Sequence, residues 1–124
     1  KRFKINTSMS KEVTEQNFDD KTRLGLFRIF QEGLTNVARH SNATEVKVDL
    51  IINNSIFELR IVDNGIGISQ DNLDSLKSIG LIGMRERIIL LDGEIDIKNH
   101  EAGGVELHLK MPIYKDSYES NISR

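Results

Sequence analysis

The stretch from Val46 to Ile68 reads VKVDLIINNSIFELRIVDNGIGI, and its pattern decides the fold. Val46, Val48, Leu50 and Ile52 alternate with Lys47 and Asp49, which predicts a strand with one buried face. Asn53, Asn54 and Ser55 are turn formers. Phe57, Leu59 and Ile61 then alternate with Glu58 and Arg60, so the two runs predict an antiparallel hairpin. Asp63 keeps the parity of Phe57, Leu59 and Ile61, which turns its carboxylate toward the buried face just where the strand ends. A carboxylate aimed inward needs a partner. Asn64-Gly65 is an ordinary turn pair, but two Gly alternating with Ile exceed what a turn requires. Gly65 and Gly67 allow something to approach the backbone closely, and Ile66 and Ile68 remain as apolar walls. An inward Asp beside apolar walls suits a flat ring that carries an amino group.

Upstream of the hairpin the period is helical. From Arg23 to His40, Leu26, Phe30, Leu34 and Val37 build one apolar stripe, with Asp20 or Thr22 as the cap and Ser41-Asn42 as the end. Gly25 and Gly33 weaken the helix locally, each by about 1 kcal/mol against Ala. Glu32, Asn36, Arg39 and His40 follow helical spacing and share a polar face, expected roughly opposite the stripe. On its own, such a face is ordinary solvated surface. Residues 1–22 are polar, and Phe3, Ile5 and Val13 mark a short edge strand or two.

Downstream, residues 64–82 are rich in Gly, Ser and Asp, with a short helix expected around Asp71 to Ser78. A loop this long in a compact domain is usually functional or mobile. A second helix is expected from about Gly83 to Leu91, with Met84, Ile88 and Leu91 on one face and Asp92-Gly93 as its stop. The phrase Gly80-Leu81-Ile82-Gly83-Met84-Arg85-Glu86-Arg87 opens that helix, where backbone N–H groups and the positive dipole end suit an anion. Ile95 and Ile97 give a strand, and Gly103-Gly104 turns the chain. Val105, Leu107, Leu109 and Met111 give the last strand, stopped by Pro112. His108 alternates with Leu107 and Leu109 and is expected to face solvent. Strands in antiparallel pairs with two or three helices imply an α+β fold, a two-layer sandwich.

The 124 residues suit one domain. An apolar share of 38%, a charged share of 29% and a formal charge of −2 describe a soluble globular domain and argue against a nucleic-acid partner bound by a broad basic surface. Without cysteine, disulfide scaffolds, thiolate zinc sites and Cys nucleophiles are excluded. No apolar run approaches the roughly 20 residues of a membrane helix, and no signal-peptide pattern opens the chain.

In order and spacing, the three polar and glycine-rich clusters resemble the N, G1 and G2 boxes of the GHKL ATPase superfamily. The phrases Gln31 to Ser41 and Gly80 to Arg87 are most similar to the catalytic ATP-binding domain of two-component sensor histidine kinases, in particular the nitrate-sensor and desaturase-sensor type. The resemblance runs from about Leu26 to Pro112. It implies the Bergerat fold, a mixed sheet of about five strands under about three helices. It also implies ATP and Mg²⁺ as cofactors, with residues 1–113 as the domain and 114–124 as a polar tail. By the same resemblance Asn36 ligates Mg²⁺, and Asp63 takes the adenine amine. Gly65 and Gly67 admit the adenine beside Ile66 and Ile68. Gly80, Leu81, Gly83 and Met84 cover the phosphates, and the short loop 68–79 is the ATP lid. Glu32 stands where some relatives carry the base for water, so it either orients water or assists the metal. Arg39 and His40 are within reach of a phosphate, with helix-dipole pairing as the alternative for His40. The family often has Gly-Thr where this chain has Gly104-Val105, which removes a hydroxyl near the nucleotide.

A histidine kinase also needs a phosphoacceptor His on a dimerisation helix, and none of His40, His100 and His108 has that context. The chain is therefore expected to be part of a longer kinase, inactive for autophosphorylation by itself and monomeric as an isolated domain. It would work in the cytoplasm, under a parent that a membrane anchor would suit. Its partners would be ATP, the dimerisation and phosphoacceptor domain and, indirectly, a response regulator. An anti-sigma-type regulatory module and a degenerate ATP-binding domain are the alternatives.

Overall fold

The alternating and helical patterns resolve into eight elements in the computed structural model, which describes residues 4–11, 13, 18–40, 42–77, 81–101 and 103–113, with the side chains of 36–40 outside that description. In chain order these are β1 (Lys4–Met9), α1 (Asp20–His40), β2 (Glu45–Asn53), β3 (Ile56–Asp63), α2 (Gln70–Ser75), α3 (Ile82–Ile89), β4 (Glu94–Asn99) and β5 (Val105–Pro112). The five strands form one mixed sheet in the order β1-β2-β3-β5-β4. Its antiparallel centre is the expected hairpin, with Val48 opposite Ile61 and Val46 opposite Asp63. Asn54 and Ser55 turn it with φ of 53° and 64°. Two positive φ values in a two-residue connection match the right-handed twist of the flanking strands.

β1 lies at the edge, as Ile5 suggests, but it runs parallel to β2. A parallel neighbour needs a crossover, and α1 lies between the two strands in the chain. Val13 packs against the core outside any strand. Phe3, Gly80 and the tail 114–124 lie outside the described residues.

The core forms between the helices and one face of the sheet. Phe57, Leu59, Ile61, Leu107, Leu109, Ile95 and Ile97 meet Ile29, Leu73, Leu81, Met84 and Ile88 there. The seam of α1 differs from the expected stripe. Ile29 and Gly33 are the buried positions, while Leu26, Phe30 and Leu34 flank them half-buried. Gly33 is the reason. A Cβ there would lie 3.0 Å from Ile61 Cδ1 and 3.1 Å from Leu107 Cδ2, so the helix rests its bare backbone on the sheet. Helical spacing puts Asn36 on the same side as Ile29 and Gly33, and Glu32 is half-buried at its border. Of the polar set, Glu32 thus lies at the border of this seam rather than opposite the stripe.

Two smaller expectations also change. Asp19, not Asp20 or Thr22, caps α1, since its Oδ1 accepts from Thr22 N–H at 2.7 Å. That bonding holds the Asp19 carboxyl below the usual range, with the Thr22 hydroxyl contributing most and the Thr22 N–H next. Asp20 instead pairs with Arg23 one turn on. His108 lies on the helix-free face but is only partly exposed, because its Nε2 meets Glu58 Oε1 at 2.8 Å across the strands. α3 ends as expected, with Gly93 N–H returning to Ile88 O at 2.9 Å. Among the described residues no helix is long and apolar enough to cross a membrane.

Candidate functional site

Asp63 ends β3 on the core face and is 2% exposed, as its parity requires. Its Oδ1 accepts from Gly65 N–H at 2.8 Å. Its Oδ2 is buried and has no hydrogen-bond partner. A buried acceptor without a donor is costly, so its position is informative. Among the described residues no donor meets this oxygen.

The surroundings of Asp63 are held by backbone and amide groups. Gly104, with φ +87°, presses on it so closely that a Cβ would lie 1.9 Å from Asp63 O and 2.7 Å from its Oδ1. Asn64 anchors the strand end through Oδ1, which accepts from Thr44 N–H and Glu45 N–H, both at 2.9 Å. Its Nδ2 donates to Thr44 Oγ1 at 3.0 Å. Gly67 is buried with φ +79°, and a Cβ there would lie 2.7 Å from Asn99 Oδ1. Asn99 in turn grips the next residue. Its Oδ1 accepts from Ile68 N–H at 2.9 Å and its Nδ2 donates to Ile68 O at 2.8 Å. Ile66 projects into solvent at 78% exposure, and Ile68 packs half-buried against the core. The loop after Asp63 thus carries one exposed and one half-buried isoleucine.

The second part of the site lies at the start of α3. Leu81 and Met84 are fully buried, so their side chains belong to the core. What they offer is backbone. Leu81 supplies no capping side chain, and Arg85 N–H bonds back to Leu81 O at 2.8 Å. The N–H groups of Ile82, Gly83 and Met84 thus belong to the first helical turn, which has no intrahelical acceptors and favours anions. Gly83 is exposed with nothing within 4 Å of a Cβ, so packing does not require a glycine there.

The third part is α1. Gly33 touches Ile61, which precedes Asp63 on the same face of β3, so α1 crosses the sheet next to the Asp63 end. Glu32 Oε1 accepts from Arg87 Nη1 at 3.0 Å, which ties α1 to α3. The side chains of Asn36, Arg39 and His40 lie outside the described residues. Among the described residues no group of three or more His, Cys, Asp or Glu could hold a metal.

The structure thus joins Asp63, Gly65, Gly67 and Ile68 in one bonded unit and joins Glu32 to the helix that Gly83 opens. Asn64, Asn99, Gly104 and Arg87 also shape the site, and sequence reasoning gave them no role of their own. Gly103-Gly104 carried a weak signal, since a turn rarely needs two glycines. Asn99 carried none.

Residues 21–115 match the family described as histidine kinase-, DNA gyrase B-, and HSP90-like ATPase. The chain is 40% identical over 96 residues to the sensor histidine kinase LiaS of Bacillus subtilis, covering 77% of this chain and 26% of that protein. It is 32% identical over 114 residues to the signal transduction histidine-protein kinase/phosphatase DegS of the same organism, covering 90% and 30%. The chain therefore spans under a third of the length of these curated relatives. Among solved structures, the histidine kinase domain of a blue-light-activated kinase from Erythrobacter litoralis superposes with a TM-score of 0.73 at 17% identity, covering 94% of this chain and 54% of that one. The histidine kinase AdeS of Acinetobacter baumannii gives 0.73 at 20% identity, covering 90% and 55%. At those identities the superpositions speak for the fold.

Proposed function

Because the chain belongs to the histidine kinase-, DNA gyrase B- and HSP90-like ATPase family, we propose that it binds ATP with Mg²⁺ and supplies the γ-phosphate to a histidine on a separate dimerisation domain. The observation that carries this reading is the unpartnered, buried Oδ2 of Asp63. An adenine exocyclic amine is a donor of the right kind, and the resemblance gives Gly65 and Gly67 to the approach of its ring. The relatives are named sensor kinases, which does not favour an anti-sigma-type module. The Gln31 to Ser41 phrase supports the nitrate-sensor and desaturase-sensor type within them.

Each residue then has a defined task. Asp63 accepts the amine, and Gly65 and Gly67 let the ring approach. The N–H groups at Gly83 and Met84, with Gly80 and Leu81 before them, receive phosphate oxygens. By the resemblance Asn36 supplies an amide oxygen to Mg²⁺, and Arg39 or His40 is within reach of a phosphate. Mg²⁺, when bound, neutralises charge on the transferring phosphoryl group. Glu32 sits beside Asn36 in the helix and is held by Arg87, so it orients water or assists the metal from a fixed position. Catalysis in such a site is mainly positioning and charge neutralisation. The acceptor histidine comes from another domain, and the response regulator follows it. The reading places the domain in the cytoplasm, where ATP is available, and makes the isolated domain a monomer.

Calorimetry with a non-hydrolysable ATP analogue tests this reading. Binding strengthened by Mg²⁺ is expected, with the Mg²⁺ increment lost in Asn36→Ala. An increment of equal size in Asn36→Ala would remove the metal role of that residue, and no binding under any condition would remove the reading itself.

A further inference from the structure

The amide of Asn99 does what a peptide group does in a sheet. It accepts from Ile68 N–H at 2.9 Å and donates to Ile68 O at 2.8 Å, so both backbone groups of one residue meet one side chain. Asn99 ends β4, an outermost strand of the sheet, while Ile68 lies in the loop after β3. No strand continues beyond Asp63 to supply Ile68 with a ladder partner, and Asn99 supplies one. Gly67 fits the same contact, since a Cβ there would sit 2.7 Å from Asn99 Oδ1. The turn that follows Asn99 backs the rest of the loop. Gly104 lies against the Asp63 carbonyl, and a Cβ on Gly103 would come 3.7 Å from Gly65 O. His100 N–H closes that turn on Gly104 O at 2.8 Å.

We propose that Asn99 is a positioning residue for the adenine end of the site, because its paired hydrogen bonds to Ile68 hold the Gly65–Ile68 loop in the shape that receives the ring. Asp63 needs no such help, since β2, Gly104 and Asn64 fix it. The apolar wall beside it does, because Ile66 is exposed and Ile68 only half-buried. Only a primary amide of this length offers one acceptor and one donor side by side. Aspartate has the same shape but sets an oxygen against Ile68 O. The inference rests on the nucleotide reading above, and its test separates the two.

The experiment uses Asn99→Asp and Asn99→Ala in this chain, with amide exchange at Ile68 in the nucleotide-free protein and calorimetry with adenosine, ADP and ATP. Exchange at Ile68 should accelerate at least about tenfold in Asn99→Ala, which loses both hydrogen bonds, and less in Asn99→Asp, which keeps an acceptor for Ile68 N–H but loses the donor to Ile68 O. Affinity should fall by about tenfold, and by the same factor for adenosine, ADP and ATP, because the wall touches only the base. The melting transition should stay cooperative. Unchanged Ile68 exchange in Asn99→Ala, or affinity within twofold of the parent in both variants, overturns the proposal. A larger loss for ATP than for adenosine does so too, since it moves the effect to the phosphates. Loss of cooperative melting in both variants overturns it in favour of a purely structural role. If the parent chain binds no adenine compound, the nucleotide reading falls and the adenine role with it, while the exchange result still decides whether Asn99 holds the loop.

Discussion

The two ends of the site are built in opposite ways. At the Asp63 end, side chains and tight glycines fix the backbone: Asn64 bonds to Thr44 and Glu45, Asn99 to Ile68, and Gly104 leaves no space for a Cβ. At the α3 end, buried side chains of Leu81 and Met84 fix a backbone whose own polar groups and whose Gly83 face open space. One end is therefore shaped before a ligand arrives. The other is an anchored helix start whose glycine has no close neighbour among the described residues. On the nucleotide reading proposed above, a base end fixed in this way and a more open phosphate end would let one site hold the constant part of a nucleotide while the reacting part changes.

The comparison can be broken at its strongest point first. Gly104→Ala should destabilise the domain by about 3 kcal/mol or more, because it combines a positive φ with a clash against Asp63 O. Thermal or urea unfolding reads this directly, and a stable Gly104→Ala protein would mean that the Asp63 end is softer than described. Gly33→Ala should cost less, about 1–3 kcal/mol, since Ile61 and Leu107 can yield by a few tenths of an ångström. Gly83→Ala sharpens the contrast from the other side. It should leave stability unchanged or raise it by up to about 1 kcal/mol, as Ala favours a helix interior. Phosphate-dependent nucleotide affinity should nevertheless fall, and full affinity would show that the glycine serves no ligand.

The smallest effect concerns the cap of α1, far from either end. Asp19 has a folded-state pKa below the ordinary 3.8, so its contribution is fully present above that value and is lost as pH falls through the lowered one. Asp19→Ala should cost about 1 kcal/mol at pH 7. The difference from the parent should shrink below pH 4, with urea midpoints as the measure. A constant difference down to pH 2 would contradict the capping account.

Much of this was legible in the sequence because it rests on period and parity. Alternation in residues 46–63 gave the hairpin and turned Asp63 inward, and both are observed. Family motifs carried the ATPase assignment, which the family match bears out. What could not be read were contacts between distant segments. The seam of α1 turned toward Gly33 because a glycine can outbid leucines when close approach to a sheet is available. The parallel placement of β1 depends on α1 as a crossover. Asn99 and Ile68 are 31 positions apart, and nothing local marks either as the other's partner. The side chains of Leu81 and Met84 obey the helical period and enter the core.

The central claim is that the open Oδ2 of Asp63 reads an amino group on the base. Inosine triphosphate replaces that amine with a carbonyl and leaves the sugar and phosphates as in ATP. Titrating the chain with both nucleotides should show ATP preferred by roughly ten- to a hundredfold, the range for one hydrogen bond to a charged group. The preference should vanish in Asp63→Ala. Equal binding of the two nucleotides by the unmodified chain, or a preference that survives in Asp63→Ala, would contradict the account.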